Sequence, residues 1–280
     1  MSIYDKNGNE LVACFDIIGD NLAQAYDISR NKVFLDGGVF NIMTFNIQRW
    51  GGLNANKALI NGIFSSTTPI IVGLQECGGN GTGGYVPDVF AYGQVATGAT
   101  NPSGIMSQIP FEDFTSHTYS ARSGESRGYS KCYITLGNKR IAWFNTHLEY
   151  YDVINDSKYP THVSQMNEIF AAVQQEQTFI LTGDFNVLAK SKNDQAYTDT
   201  IKQFVDAGYN LSNWTDETGF IDTWFNGSTV AGSSQKYPCD NIITSSDIDI
   251  VDIEYNTAKL TAGGTIDHIP IISTIIIPEA

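Results

Sequence analysis

The chain has 280 residues, 42% hydrophobic and only 16% charged, enough for one large α/β domain or two small ones with a sizeable core. Thirty acidic residues against sixteen basic ones give a net charge of −14, which argues against coating nucleic acid through a basic surface but not against handling phosphate through a bound cation. No run approaches the roughly 18 apolar residues of a membrane span, and Met1–Phe15 lacks the basic and apolar regions of a standard signal peptide.

A soluble protein is therefore expected, cytoplasmic or exported by another route. Cys14, Cys77, Cys132 and Cys239 are scattered without C-x-x-C spacing, so neither a zinc site nor a disulfide framework is indicated. Their even number leaves one or two disulfides open.

Residues 1–36 form a small N-terminal β appendage or edge strands. A hairpin signal at Asn7-Gly8 sits between short strand-like runs, a second polar turn spans Ser29–Lys32, and large apolar residues are too few for an independent core. Residues 37–280 then make the main domain. Helical spacing appears at Leu53–Phe64, ending near Ser65–Pro69. It recurs at Pro160–Gln175, where Val163, Met166, Ile169 and Val173 share one face and Pro160 suits the first turn. A third helix is expected over Thr198–Ala207, stopped by Gly208. Gly78–Gly84 and Ala96–Gly104 are glycine-rich loops. Strand-like runs outnumber helices and the helices fall between them, which predicts an α/β fold of two packed sheets covered by helices.

Five stretches carry chemistry. Asn41–Gln48, Ile70–Glu76, Ala142–Leu148 and Ile180–Asn186 are each an apolar run that ends at Asn, Glu, His or Asp/Asn. The fifth pairs Asp240-Asn241 with Asp267-His268. A buried strand needs the apolar run, whereas a lone polar group at its exit serves chemistry. Glu76 must either turn to solvent or meet a cation, because an unpaired buried charge is costly. Asp184 and Asn186 are two apart and point the same way in an extended segment, with Gly183 letting the backbone approach closely. Gly-Asp-Phe-Asn is also good turn chemistry. Arg122, Arg127, Lys131, Lys139 and Arg140 cluster within nineteen positions before His147 and read as solvated hairpin charges, with Arg127 the candidate for a phosphate contact.

In order and spacing, Leu74-Gln75-Glu76, Asn145-Thr146-His147-Leu148, Gly183-Asp184-Phe185-Asn186 and Asp267-His268 resemble the endonuclease/exonuclease/phosphatase superfamily. That family includes deoxyribonuclease I, abasic-site endonucleases, neutral sphingomyelinases and inositol-polyphosphate phosphatases. The likeness runs from about Phe40 to Ile277. It implies a four-layered sandwich of two mixed β-sheets flanked by helices, with the site at one sheet edge. It further implies Glu76 as the principal Mg²⁺ ligand, with Mn²⁺ or Ca²⁺ as alternatives, Asp267 near the metal, and Asn46 as ligand or phosphate contact. Asp184 would orient or deprotonate the attacking water, with Asn186 fixing it. His268 would be paired with Asp240. His147 would be the general acid or a donor to a phosphate oxygen.

One departure concerns His147. Some nucleases of the family support this histidine with a glutamate before the strand matching Gly104–Ser107, and Gly98–Ser103 contains no acid. The resemblance implies a phosphodiester hydrolase of the deoxyribonuclease type, acting on DNA or another phosphodiester, and a monomer is expected. Cys77-Gly78-Gly79 after Glu76 lowers the abasic-site branch, and Thr182-Gly183-Asp184-Phe185-Asn186 lowers the inositol-phosphatase branch. A sphingomyelinase and a catalytically silent binding protein stay open as alternatives.

Overall fold

A computed structural model describes residues 3–4, 10–11, 38–48, 53–67, 69–78, 85–137, 139–215, 219–225, 235–255 and 266–277. Strands β1 (Ile3–Tyr4) and β2 (Glu10–Leu11) pair antiparallel as a separate ribbon, on either side of the expected Asn7-Gly8 turn, which lies outside the described residues. The second expected turn at 29–32 and Cys14 also lie outside them. The main chain begins with β3 (Gly38–Asn46), α1 (Leu53–Thr67) and β4 (Ile71–Gln75). Next come β5 (Tyr92–Val95), β6 (Gly104–Ser107), β7 (Phe111–Thr118), β8 (Gly128–Leu136) and β9 (Lys139–His147). Helix α2 (Tyr159–Val173) leads to β10 (Phe179–Asp184), and a π-helical turn (Tyr197–Ile201) runs into α3 (Lys202–Asp206). The last strands are β11 (Asn210–Leu211), β12 (Trp224–Phe225), β13 (Lys236–Tyr237), β14 (Asp240–Thr244), β15 (Asp249–Tyr255) and β16 (Ile271–Ile277).

Two six-stranded mixed sheets result, in the orders β15-β16-β3-β4-β6-β5 and β11-β14-β10-β9-β8-β7. Each holds one parallel pair, β3 with β4 and β9 with β10, and the remaining pairs are antiparallel. Parallel strands need a long crossover, which α1 and α2 supply. Isoleucines dominate the layer between the sheets, with Ile42, Ile71, Ile105, Ile180, Ile242 and Ile271 packed about Trp143. On the outer face of the first sheet, Phe45, Val72 and Leu74 pack on Ile60, Ile63 and Phe64 of α1. On the outer face of the second, Phe144, Leu181 and Ile243 meet Met166, Ile169 and Val173 of α2 and Phe204 of α3. This is the expected four-layered sandwich. Pro160 lies in the first turn of α2 and Gly208 takes φ +75 just past α3, where an L side chain is disfavoured. The third helix is shorter than its spacing predicts, because the π-helical turn takes its first residues.

A polar staple joins the two sheets beneath the strand ends. Buried Asn145 on β9 donates to the carbonyls of Leu74 and Gly104 at 2.8 Å each, and its oxygen accepts from Gln75 at 2.6 Å and Thr182 at 3.1 Å. Gly73 makes room for it: a Cβ there would lie 2.0 Å from Thr182 Oγ1 and 2.5 Å from Asn145 Oδ1. Cys77, Cys132 and Cys239 are free and buried, so no disulfide forms among them. Among the described residues, no helix is long and apolar enough to cross a membrane.

Candidate active site

Both parallel pairs point their C-terminal ends to the same place, and every motif of the sequence ends there. Asn46 closes β3, Glu76 follows β4, His147 closes β9 and Asp184 closes β10. The register sets Asp184 opposite both His147 and Asp240, so these three lie on one rung across β9, β10 and β14. Glu76 and Asn186, just past their strands, take φ of 54 and 50. Such left-handed backbone costs a non-glycine residue about 1–2 kcal/mol, and here it turns each chain sharply at the pocket.

Asp184 is the hub. Asn46 donates to its Oδ2 at 2.8 Å and the Asn186 backbone N–H donates to its Oδ1 at 2.9 Å. Nε2 of His147 and Nε2 of His268 stand 3.4 and 3.6 Å from Oδ2. Burial raises the Asp184 carboxyl above the usual carboxylate range, against the pull of the His268 charge. His268 places Nδ1 2.9 Å from Asp240 Oδ2. Burial by itself would lower this imidazole, but the carboxylates of Asp240 and Asp184 outweigh it and raise it to about 10. The two carboxylates thus favour the protonated form of the ring. The Asp240 N–H donates to Thr223 Oγ1 at 2.9 Å, and Asn241 accepts from Ser212 and Asn213, which locks the start of β14.

His147 is governed by Arg127. This buried guanidinium, one residue before β8, brings Nη1 to 2.9 and 2.8 Å from Nδ1 and Nε2 of the ring. Arginine only donates, so it requires a neutral imidazole with an accepting nitrogen. Burial first, then the charges of Arg127 and His268, hold His147 well below the usual imidazole range. Arg127 is itself held by Glu125 at 3.1 Å, and Glu125 accepts from Asn101 at 2.6 Å. Asn101 lies in the very stretch that lacks the expected acid, so the support reaches His147 through an arginine. Of the five clustered basic residues, Arg127 is buried in the site and is not a solvated charge. Lys131, Lys139 and Arg140 pair with Glu176, Asp247, and Glu112 and Asp113, while Arg122 donates to the Tyr119 carbonyl.

Among the described residues, buried oxygens at this end without a hydrogen-bond partner include Gln48 Oε1, Glu76 Oε2, Asp240 Oδ1 and Asp267 Oδ1. Burial raises the Glu76 carboxyl, and the nearby Asp267 charge raises it further, while His268 and Asn46 act the other way. Unpaired hard oxygens at a desolvated carboxylate fit Mg²⁺, Mn²⁺ or Ca²⁺. Asp184, Asp240 and His268 also lie with one donor atom each within 4.8 Å of one another. Glu76 with Asp267 and the Asp184–Asp240–His268 group are thus two candidate cradles at the same end. Asn46 turns its amide nitrogen to Asp184 and, at 3.4 Å, to Glu76, while its oxygen accepts from the Gln48 N–H. Asn186 donates to the Leu148 carbonyl at 2.9 Å, fastening the loops after β9 and β10 together.

Solved structures of endonuclease/exonuclease/phosphatase proteins share this four-layered fold and superimpose on it. TDP2 of D. rerio, complexed with a single-strand DNA product, aligns at 16% identity and TM-score 0.65 over 85% of this chain and 99% of its own. An endonuclease/exonuclease/phosphatase from Beutenbergia cavernae aligns at 15% identity and TM-score 0.65 over 85% and 72%. Another from Bacteroides vulgatus aligns at 15% identity and TM-score 0.64 over 86% and 100%. At such identities the likeness is one of fold. Neither a family model nor a curated protein matches the sequence.

Proposed function

We propose that this chain is a divalent-cation-dependent phosphodiester hydrolase, an endonuclease of the deoxyribonuclease type with DNA as its substrate. One observation carries the reading: Asn46, Glu76, His147, Asp184, Asp240 and His268, drawn from both sheets, meet at one buried spot beside oxygens that lack partners. In-line attack of water on phosphorus spreads charge over the equatorial oxygens and builds it on the leaving oxygen. Glu76 and Asp267 would hold a hard cation, which would neutralise that charge. Asp184 accepts from the water and aligns it, with His268 and Asp240 setting the charge around it. His147 donates to a phosphate oxygen, and Arg127 adds a fixed positive charge behind it, while Asn46 holds Asp184 and Glu76 in place. DNA is the substrate favoured by the likeness to the DNA-bound D. rerio protein.

A lipid phosphodiester is the second reading, favoured by Val153 and Ile154, which are 61% and 36% exposed on the loop that follows His147. Plasmid DNA and sphingomyelin assayed side by side, with Mg²⁺ or with chelator, decide between them. Chelator-sensitive nicking of the plasmid is expected. Turnover of sphingomyelin alone would transfer the site to lipid. No cleavage of any phosphodiester with Mg²⁺ or Mn²⁺ would leave a silent binding protein.

A further inference from the structure

Among the described residues, five that are not glycine have backbone in the left-handed region. Gln48, Glu76 and Asn186 stand just past strands that build the site, and Asp113 lies exposed at the irregular step of the β7–β8 pairing. The fifth is Trp214, with φ 71 and a fully buried side chain. A bulky residue in this region is a true outlier, and it persists only where its surroundings over-determine it. The Trp214 N–H donates to the Gly219 carbonyl and to Asn213 Oδ1, each at 2.9 Å, and the Asn213 carbonyl accepts from the Asn241 side chain, also at 2.9 Å. A tryptophan that merely fills space has no need of such a backbone. Here the strained backbone aims the indole at two strand ends. Its ring stands edge-on to that of Phe185, with centroids 5.6 Å apart and planes at 80°, and its Nε1 donates to the Pro238 carbonyl at 2.7 Å.

We propose that Trp214 is a positioning residue for the reaction: it ties the strand end bearing Asp184 to the strand end bearing Asp240 and so keeps both carboxylates on His268. The proposal rests on the phosphodiesterase reading of the site. Asp184 and Asp240 face each other on the last rung of β10 and β14. Like charges directly opposite one another push a ladder apart. Beyond this rung the backbone tie is a bond from the Phe185 N–H to the Cys239 carbonyl at 2.8 Å. Phe185 follows Asp184 directly and Pro238 lies two residues before Asp240, so the indole spans the two chains just where their ladder ends. The placement matters because one imidazole serves both acids. His268 has Nδ1 2.9 Å from Asp240 Oδ2 and Nε2 3.6 Å from Asp184 Oδ2, so a slip of either strand end lengthens one contact at the expense of the other. Misplacing a reacting group by about 1 Å can cost roughly 10²-fold in rate.

The test uses Trp214→Phe, which keeps a ring beside Phe185 but has no N–H for the Pro238 carbonyl. Phe204→Leu, in the same core cluster but on α3, is the control for lost packing. The first readout is the proton NMR resonance of the His268 Nδ1–H donated to Asp240, followed in metal-free protein at fixed pH, and it needs no turnover. The second is kcat and KM for plasmid nicking in saturating Mg²⁺. Trp214→Phe is expected to displace the resonance and to lower kcat by roughly 10²-fold with KM little changed. Phe204→Leu should leave both at wild-type values while lowering the melting temperature. Replacing Trp214 by benzothienylalanine, which carries sulfur in place of the N–H in an indole-shaped ring, should act like Trp214→Phe and serves in its stead if that variant does not fold. A resonance or a kcat that stays at the wild-type value, or equal losses in Phe204→Leu, would overturn the proposal and leave Trp214 a core residue. Absence of nicking by wild type would remove the phosphodiesterase reading; the resonance still decides whether Trp214 positions the two acids, so the two failures are told apart.

Discussion

Glu76 shows what a functional side chain costs its own fold. Its carboxylate is desolvated, one oxygen has no partner, and its backbone is left-handed. Glu76→Gln removes the buried charge, so the metal-free variant should melt higher than wild type, by a few degrees for about 1 kcal/mol in a chain of this size. Mg²⁺ should then raise the melting temperature of wild type but not of the variant; equal metal-induced shifts would remove Glu76 as a ligand. His268 gives a second residue-scale expectation. Asp240 is the foremost of the charges that raise its imidazole to about 10, so Asp240→Asn should bring the ring back towards ordinary values. NMR titration of His268 reads this directly, and an unchanged midpoint would dissociate the pair. Asp240→Asn should also lose about 10²–10⁴-fold in rate. The identities of Glu76, Asp240 and His268 were legible because each interrupts or adjoins an apolar run. Arg127 was not. Ser126-Arg127-Gly128 reads as a solvated turn, and only the pairing of Gly128 with His147 across β8 and β9 brings the guanidinium onto the ring.

At the scale of elements, the two β–α–β crossovers were legible from alternating apolar runs and helical spacing, and they suffice to bring four motif ends together. The staple was not, since Gln75, Asn145 and Thr182 look like ordinary strand residues until two sheets face each other. Gly73 should therefore be intolerant of a single methyl. Gly73→Ala drives a Cβ into Thr182 and Asn145, and a cost of about 3 kcal/mol, the upper end for overpacking, is expected in urea unfolding. A change of a few tenths would mean that the staple yields easily. Helix α2 carries a pH dependence of its own. Burial lowers its His162 imidazole from 6.5 to about 4, against the Glu149 carbonyl bond that favours the proton. The folded value lies below the unfolded one, so its contribution is complete above pH 6.5 and is lost as pH falls towards 4. The loss amounts to roughly 3 kcal/mol at its limit. His162→Gln should flatten the difference in urea midpoint between about pH 7 and about pH 4.5; an unaltered difference would place the acid sensitivity elsewhere.

For the whole molecule, the central claim is that one buried cation site at the meeting of two sheets drives hydrolysis of a phosphodiester. Its acidic surface gives no broad nucleic-acid footprint, so affinity and rate should depend on that site and its rim and vary little with salt compared with a basic nuclease. The most direct measurement is the initial rate of plasmid nicking as Mg²⁺ is titrated into chelator-stripped protein, with wild type and Glu76→Gln run in parallel. The account predicts a saturable rise for wild type and a flat line for the variant. Nicking by wild type that persists in chelator, or a Glu76→Gln curve that overlays it, would contradict the claim.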